Sequence, residues 1–208
     1  MTTETAGGTR EALLAAAASL FAEKGFEKVS LREVTGRAGA NVASVKYHFG
    51  SREGLIDAVV VEMTRPVNEE RLRRIAVLEG EKSVSVRKLL EAFFDPLFSR
   101  IQGSALSESL FVKLMGRMVG DRPYQFPEEV MAEFREVARR FVPAFRRACP
   151  GLSAEDVFWR LHFSFGVMSN ALTHRDLLEQ VSEGSIARED LAVTMGRVMS
   201  FCEAGFER

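Results

Sequence analysis

An all-α fold is what the sequence predicts, with a small N-terminal head of three helices followed by a larger helical body. Three observations point there. Apolar residues recur at helical spacing, with no strand-period alternation of useful length. Helix start and stop residues bracket nearly every such stretch. Two short capped helices joined by a glycine turn occupy residues 28–52, KVSLREVTGRAGANVASVKYHFGSR.

Taken in order, Thr9 is placed to cap a first helix whose Leu13, Ala17, Leu20 and Phe21 form an apolar stripe, and Gly25 ends it. Ser30 opens the second, with Glu33 three residues on to complete an S-x-x-E capping box. Leu31, Val34 and Ala38 make its inward stripe. Gly39 supplies a position that can take positive φ, and Asn41 caps a third helix beginning at Val42, from which Val45 and Phe49 face inward. Ser51 caps a long helix from about Arg52 to Leu78, in which Pro66 predicts a kink or a break. Gly80 to Ser83 is a turn, followed by a helix from Val84 to Ile101 that Pro96 interrupts. Gly103 and Ser104 separate it from a segment between Ser107 and Val119. Gly120 to Pro127 (GDRPYQFP) reads as a loop. Glu128 to Ala148 is helical, with Pro143 near its end and Pro150 and Gly151 as terminators. Ser153, with Asp156 three later, starts a helix to about His174; a polar loop through Ser185 leads to a last helix, Arg188 to Ala204.

Two capped helices within four residues of each other cross steeply, which is the outline of a helix-turn-helix. Val42, Ala43, Ser44, Lys46, Tyr47 and His48 are left on the outer surface of the second, where they can read DNA. Charge supports this locally. The chain as a whole has a formal net charge of -1, so no global basic field advertises nucleic acid. Within residues 28–52, however, Lys28, Arg32, Arg37, Lys46 and Arg52 stand against Glu33 alone. A compact basic face on a near-neutral protein suits a DNA-binding regulator that must also be released, because phosphate neutralisation dominates DNA affinity.

The order of residues from Thr9 to Leu55 resembles the DNA-binding domain of TetR-family transcriptional regulators. The resemblance rests on LFAEKGF (Leu20 to Phe26), SLREV (Ser30 to Val34), RAG (Arg37 to Gly39) and VKYHFGSREGL (Val45 to Leu55). It departs from the family's usual residues at Thr35, Ala40 and Lys46. The resemblance implies a DNA-binding domain at residues 1–52, ordered from about residue 9, and an effector-binding and dimerisation domain at residues 53–208. It also implies that Ser30, Arg32, Asn41, Ser44, Lys46, Tyr47, His48 and Arg52 approach DNA. On that frame Arg32 can read guanine, Val42 and Ala43 can meet thymine methyl groups, and Lys46, Tyr47 and Arg52 hold phosphates. The expected partner is double-stranded operator DNA, with steric repression as the mode of action; an activator, or a DNA-localised interaction module of the same fold, are the alternatives.

Val157 to Leu172 (VFWRLHFSFGVMSNAL) is apolar nearly all round, so one face cannot account for its burial. Either it is the central helix of a monomeric bundle, or one side packs on a second subunit. In TetR-like regulators the last two long helices form an intersubunit four-helix bundle, which favours a homodimer. The expected interface residues are Phe165, Met168 and Leu172, joined by Leu191, Met195, Val198 and Met199. A small apolar or aromatic effector is expected in the body, where aromatics and methionines concentrate. Phe94, Phe98, Phe111, Met115, Phe134, Phe158 and Trp159 are candidate walls, and His162 and Asn170 are candidate polar groups. Lying in an otherwise apolar helix, those two either bond to neighbouring side chains or orient a ligand.

Catalysis is not indicated. The three histidines, His48, His162 and His174, lie in separate contexts, with no H-E-x-x-H, G-x-S-x-G or phosphate-binding glycine loop. His174, Arg175 and Asp176 read as a basic helix terminus. Cys149 and Cys202 are far apart without metal-ligand spacing, so neither a zinc site nor a disulfide framework is expected, and no cofactor or metal is called for. No apolar run is long enough to span a bilayer, and MTTETAGG has no basic n-region, so a soluble cytoplasmic protein is expected, with no membrane partner.

Overall fold

The computed structural model describes residues 6–120, 125–186 and 189–207, and all regular structure among them is α-helical. The helices are α1 (Ala6–Lys24), α2 (Leu31–Ala38), α3 (Val42–Phe49), α4 (Arg52–Leu78), α5 (Val86–Gln102), α6 (Glu108–Gly120), α7 (Glu128–Ala148), α8 (Ala154–Thr173), α9 (Arg175–Val181) and α10 (Leu191–Phe206). They form two compact units, Met1–Pro66 with Arg100–Ala132, and Val67–Ser99 with Glu133–Arg208.

In the first unit α1 packs on α2, α3 and most extensively on α6. Its core collects Leu13, Ala17, Leu20 and Phe21 from α1, Val34 and Val45 from the helix pair, Leu55 and Val60 from α4, and Phe111 and Leu114 from α6. The rings of Phe21 and Phe26 meet with centroids 5.2 Å apart, closing the bend after α1. Thr9 lies inside α1 rather than at its cap, because the helix already begins at Ala6.

The second unit is built on α8 against α10, with α5 and α7 and the C-terminal half of α4. Phe94, Phe141 and Phe145 are fully buried, and the Phe145 ring stacks on Phe206 at 4.6 Å. Where a polar loop is expected after His174, the chain makes the short helix α9: Leu177, Leu178 and Val181 stand at helical spacing within its polar surroundings. Of the expected loop Gly120 to Pro127, Gly120 ends α6 and residues 125–127 are irregular, while 121–124, like the expected start of the last helix at Arg188, lie outside the described residues. Asp190 caps α10 instead, accepting from the Val193 N–H at 2.8 Å.

None of the three helical prolines breaks its helix: α4 runs through Pro66, α5 through Pro96 and α7 through Pro143. Proline removes the N–H that would bond the carbonyl four residues earlier. At Pro66 the deprived carbonyl is that of Glu62, and the guanidinium of Arg100 donates to it at 3.2 Å. A side chain thus supplies the donor that the helix lacks.

Candidate nucleic-acid interface

The helix pair is built as its sequence dictates. Ser30 and Glu33 exchange bonds at the start of α2: the Ser30 N–H donates to Glu33 Oε2 at 2.9 Å and the Glu33 N–H to Ser30 Oγ at 3.3 Å. Lys24 pairs with the same carboxylate at 2.7 Å. That lysine bond, with the Ser30 N–H and hydroxyl behind it, holds the Glu33 carboxyl down at about 2. Gly39 ends α2 at φ 65°, a left-handed conformation that a side chain would strain, and its N–H returns to the Thr35 carbonyl. Asn41 then caps α3, its Oδ1 accepting from the Ser44 N–H at 2.9 Å.

Packing fixes which face of α3 is free. Val45 is buried and Phe49 half-buried, with the guanidinium of Arg10 in α1 lying 5.5 Å over the Phe49 ring. At the same end, Gly54 passes so close to α3 that a Cβ there would collide with the Phe49 carbonyl oxygen. Held at its C-terminal end through Phe49, α3 presents Val42, Ala43, Lys46 and Tyr47 outward; Tyr47 is 80% exposed, the most open large hydrophobic side chain described. Ser44 and His48 are half-buried at the edge of that face, and the His48 ring meets Tyr47 edge-on at 4.9 Å. Arg32 is exposed on α2.

The basic residues divide into two sets. Arg37 is committed to Glu23 on α1, at 2.9 Å, and also donates to Ser19. Arg52 donates through Nε to the Val29 carbonyl at 3.2 Å and through Nη2 to the Phe26 carbonyl. Its geometry therefore gives it the task of tying the α1–α2 connection to the start of α4, where the sequence suggested a phosphate clamp. Lys28, Arg32 and Lys46 are exposed and, among the described residues, form no ion pair. Of the five basic residues in 28–52, these three are the ones free to meet a polyanion.

The residues expected to line a ligand site are spread over both units. Phe111 and Met115 are buried in the first, Phe94 is fully buried in the second, and Phe98 and Phe134 are half-buried there. Phe158 and Trp159 are each 53% exposed, and His162 and Asn170 are exposed as well, so within the single chain neither of these two is a buried polar group. Polar groups that are buried in the second unit lie elsewhere. Asn68 and Arg71 share the buried stripe of α4 with Val67 and Ile75, Arg71 donating to the Phe93 carbonyl at 2.7 Å and to Asn68 Oδ1 at 3.1 Å. Burial brings the Arg71 guanidinium down to about 10. The one-in-four spacing of 67, 71 and 75 was the signal that could have found it. Asn170 borders a cleft of about 570 Å³ between α8, α9 and α10, with Leu177, Leu178, Val181 and Val198 as apolar walls.

The expected dimer residues are also placed differently. Met168, Leu172, Leu191, Met195, Val198 and Met199 are buried within the second unit itself, at 0–6% exposure, and Phe165 is half-buried. They are the seam between α8 and α10 of one chain. The opposite faces of those helices carry Phe158, Trp159, Phe163, Val193 and Phe201 in the open. Both cysteines are free, and burial pushes each thiol up, which disfavours a reactive thiolate.

Residues 13–59 match the family described as bacterial regulatory proteins, tetR family, and residues 91–205 match the tetracyclin repressor-like C-terminal domain. The chain belongs to the TetR family of transcriptional regulators. The regulator is 26% identical over 130 residues to the HTH-type transcriptional repressor KstR2 of Rhodococcus jostii, a match spanning 62% of this chain and 61% of that protein, so less than two thirds of that relative's length is covered. It is 26% identical over 160 residues to the HTH-type transcriptional dual regulator CecR of Shigella flexneri, covering 74% of this chain and 70% of that one. The fold is shared with the crystal structure of AmtR from Mycobacterium smegmatis, with a TM-score of 0.61 at 17% identity over 100% of this chain and 89% of that chain. Membership makes the regulator a DNA-binding protein and not an enzyme. Among the described residues no helix is long and apolar enough to cross a membrane, and no cluster of metal-ligating side chains occurs.

Proposed function

We propose that the regulator is a homodimeric repressor that occupies a palindromic operator and leaves it when a small apolar or aromatic molecule binds. The observation that carries the reading is the free face of α3, with Tyr47 and Lys46 outward while Val45, Phe49 and Gly54 hold the helix from behind. Arg32 reads a base edge and Lys46 and Tyr47 hold phosphates. KstR2 is named a repressor, and repression by occupancy asks nothing of the protein beyond tight docking.

The dimer reading rests on the exposed stripe Trp159, Phe163 and Gly166 of α8 beside Val193, Gly196 and Phe201 of α10. Large rings next to glycines, with open space over Gly166 and Gly196, make a surface of knobs and hollows that a second copy of itself can fill about a two-fold axis. Covering the open half of each ring gives on the order of 1–2 kcal/mol per ring. The effector reading is supported by the apolar cleft beside Asn170 in the same unit. Sedimentation and operator titration of the purified chain test both parts together: a monomer that binds a palindromic site no better than a half-site would refute the proposal.

A further inference from the structure

Asn41, the cap of α3, has the oxygen end of its amide committed. The Ser44 N–H donates to Oδ1 at 2.9 Å, and the Ser44 hydroxyl donates to the same atom at 3.2 Å. A main-chain N–H can only donate, so the cap fixes which way round the amide lies: oxygen over the first turn, nitrogen away from it. An amide oxygen has two lone pairs, and the two Ser44 donors take both. What remains of Asn41 is the pair of Nδ2 hydrogens, which meet no acceptor among the described residues, on an exposed side chain.

Ser44 is committed in turn. Its only hydroxyl proton goes to Asn41, so its half-buried oxygen offers lone pairs alone. Steps of three put Asn41, Ser44 and Tyr47 along one line of α3, and Tyr47 is the most exposed of the side chains that face outward there. The cap thereby sets the hydrogen-bonding sense of the groups at the N-terminal end of that line.

With α3 facing DNA as proposed, we infer that Asn41 meets the duplex as a donor only, its Nδ2 giving hydrogens to an acceptor on the DNA. DNA offers two kinds of such acceptor, phosphate oxygens and the O6, O4 and N7 atoms of base edges in the major groove. The bidentate pairing of asparagine with adenine N6 and N7 needs the amide oxygen as well, and is closed to this residue.

Two substitutions separate capping from contact. Asn41→Asp keeps an oxygen for the Ser44 N–H, and aspartate caps a helix as well as asparagine, so this variant should melt with the parent or above it. It has no hydrogen to give. Asn41→Gly removes the donors without adding charge, at small cost to the cap, and should melt within about 2 °C of the parent. The probes are a random-sequence duplex of about 30 base pairs at low salt and the duplexes that the parent recovers from a random pool. On the recovered duplexes, affinity should fall about tenfold or more in Asn41→Asp and about fivefold in Asn41→Gly. Equal losses on the random duplex identify the acceptor as phosphate, and losses confined to the recovered duplexes place it on a base edge. Binding of the recovered duplexes by Asn41→Gly within about twofold of the parent would overturn the inference and leave Asn41 a cap alone. Lys46→Ala on the random duplex tells that failure from a wider one: if it too binds as the parent does, α3 does not face DNA at all.

Discussion

Arg52 donates from Nε to the main-chain carbonyl of Val29, 23 residues earlier, at 3.2 Å. This bond converts a residue that family resemblance places near phosphate into a brace for the α1–α2 connection. Arg52→Ala should therefore lower the unfolding temperature of the regulator by a few degrees, the loss of a charge-assisted bond being worth about 1.5–3 kcal/mol. The slope of log affinity for operator against log salt should stay as in the parent. Lys46→Ala should do the opposite, leaving the melt unchanged and reducing that slope by about one.

Gly54 makes a second structural claim on the same junction. Gly54→Ala puts a methyl group into the Phe49 carbonyl, so either α3 or the first turn of α4 must shift. Operator affinity should fall at least tenfold with far-ultraviolet circular dichroism almost unchanged. Full affinity in this variant would show that the end of α3 has room to spare.

Base reading and phosphate holding separate in binding-site selection. Arg32→Ala should relax preference at one position per half-site at a cost of about 1–3 kcal/mol, whereas Tyr47→Phe should weaken operator and near-operator sequences alike. The same change in preference from both variants would remove the distinction.

The two faces of α8 and α10 give opposite outcomes for one substitution type. Phe163→Glu, on the open face, should leave a folded chain that sediments as a monomer and loses operator binding. Met195→Glu, at 6% exposure in the seam, should destabilise the chain itself, because an unpaired buried charge is costly. A folded monomer from Met195→Glu would restore that residue to the interface.

Glu33 carries a pH dependence whose sign follows from its lowered carboxyl. The folded value of about 2 lies below the ordinary 4.5, so its contribution is complete above that ordinary value and is lost as pH falls toward the folded one. The difference in urea midpoint between parent and Glu33→Gln should be constant from neutral pH to about 5 and shrink toward about 2. A gap that widened on acidification would contradict the Lys24 and Ser30 contacts.

The head of the molecule was legible because its determinants are local. Ser30 and Glu33, Gly39, and Asn41 each act within a few residues, and the cap geometry follows from their order. Which basic residues remain available was not legible. Arg37 and Arg52 are claimed by Glu23 and by the carbonyls of Phe26 and Val29, at separations that no local pattern encodes. The same holds for the C-terminal pair. An all-round apolar α8 says that two faces are apolar but not which meets α10; Met195, expected at an intersubunit interface, is buried within the chain, and Phe201 lies in the open. His162 and Asn170 fell on the outward face for the same reason.

The bond from Arg100 to the Glu62 carbonyl makes the fates of two distant codons interdependent. With proline at 66, replacing the arginine exposes an unsatisfied carbonyl; with an ordinary residue there, the helix would bond that carbonyl itself and the arginine would be dispensable for it. A lineage could therefore acquire Pro66 cheaply only after Arg100, and could discard Arg100 cheaply only after Pro66. Mutational scans should show this as sign-consistent epistasis: the paired change Pro66→Ala with Arg100→Ala costs less than the sum of its parts.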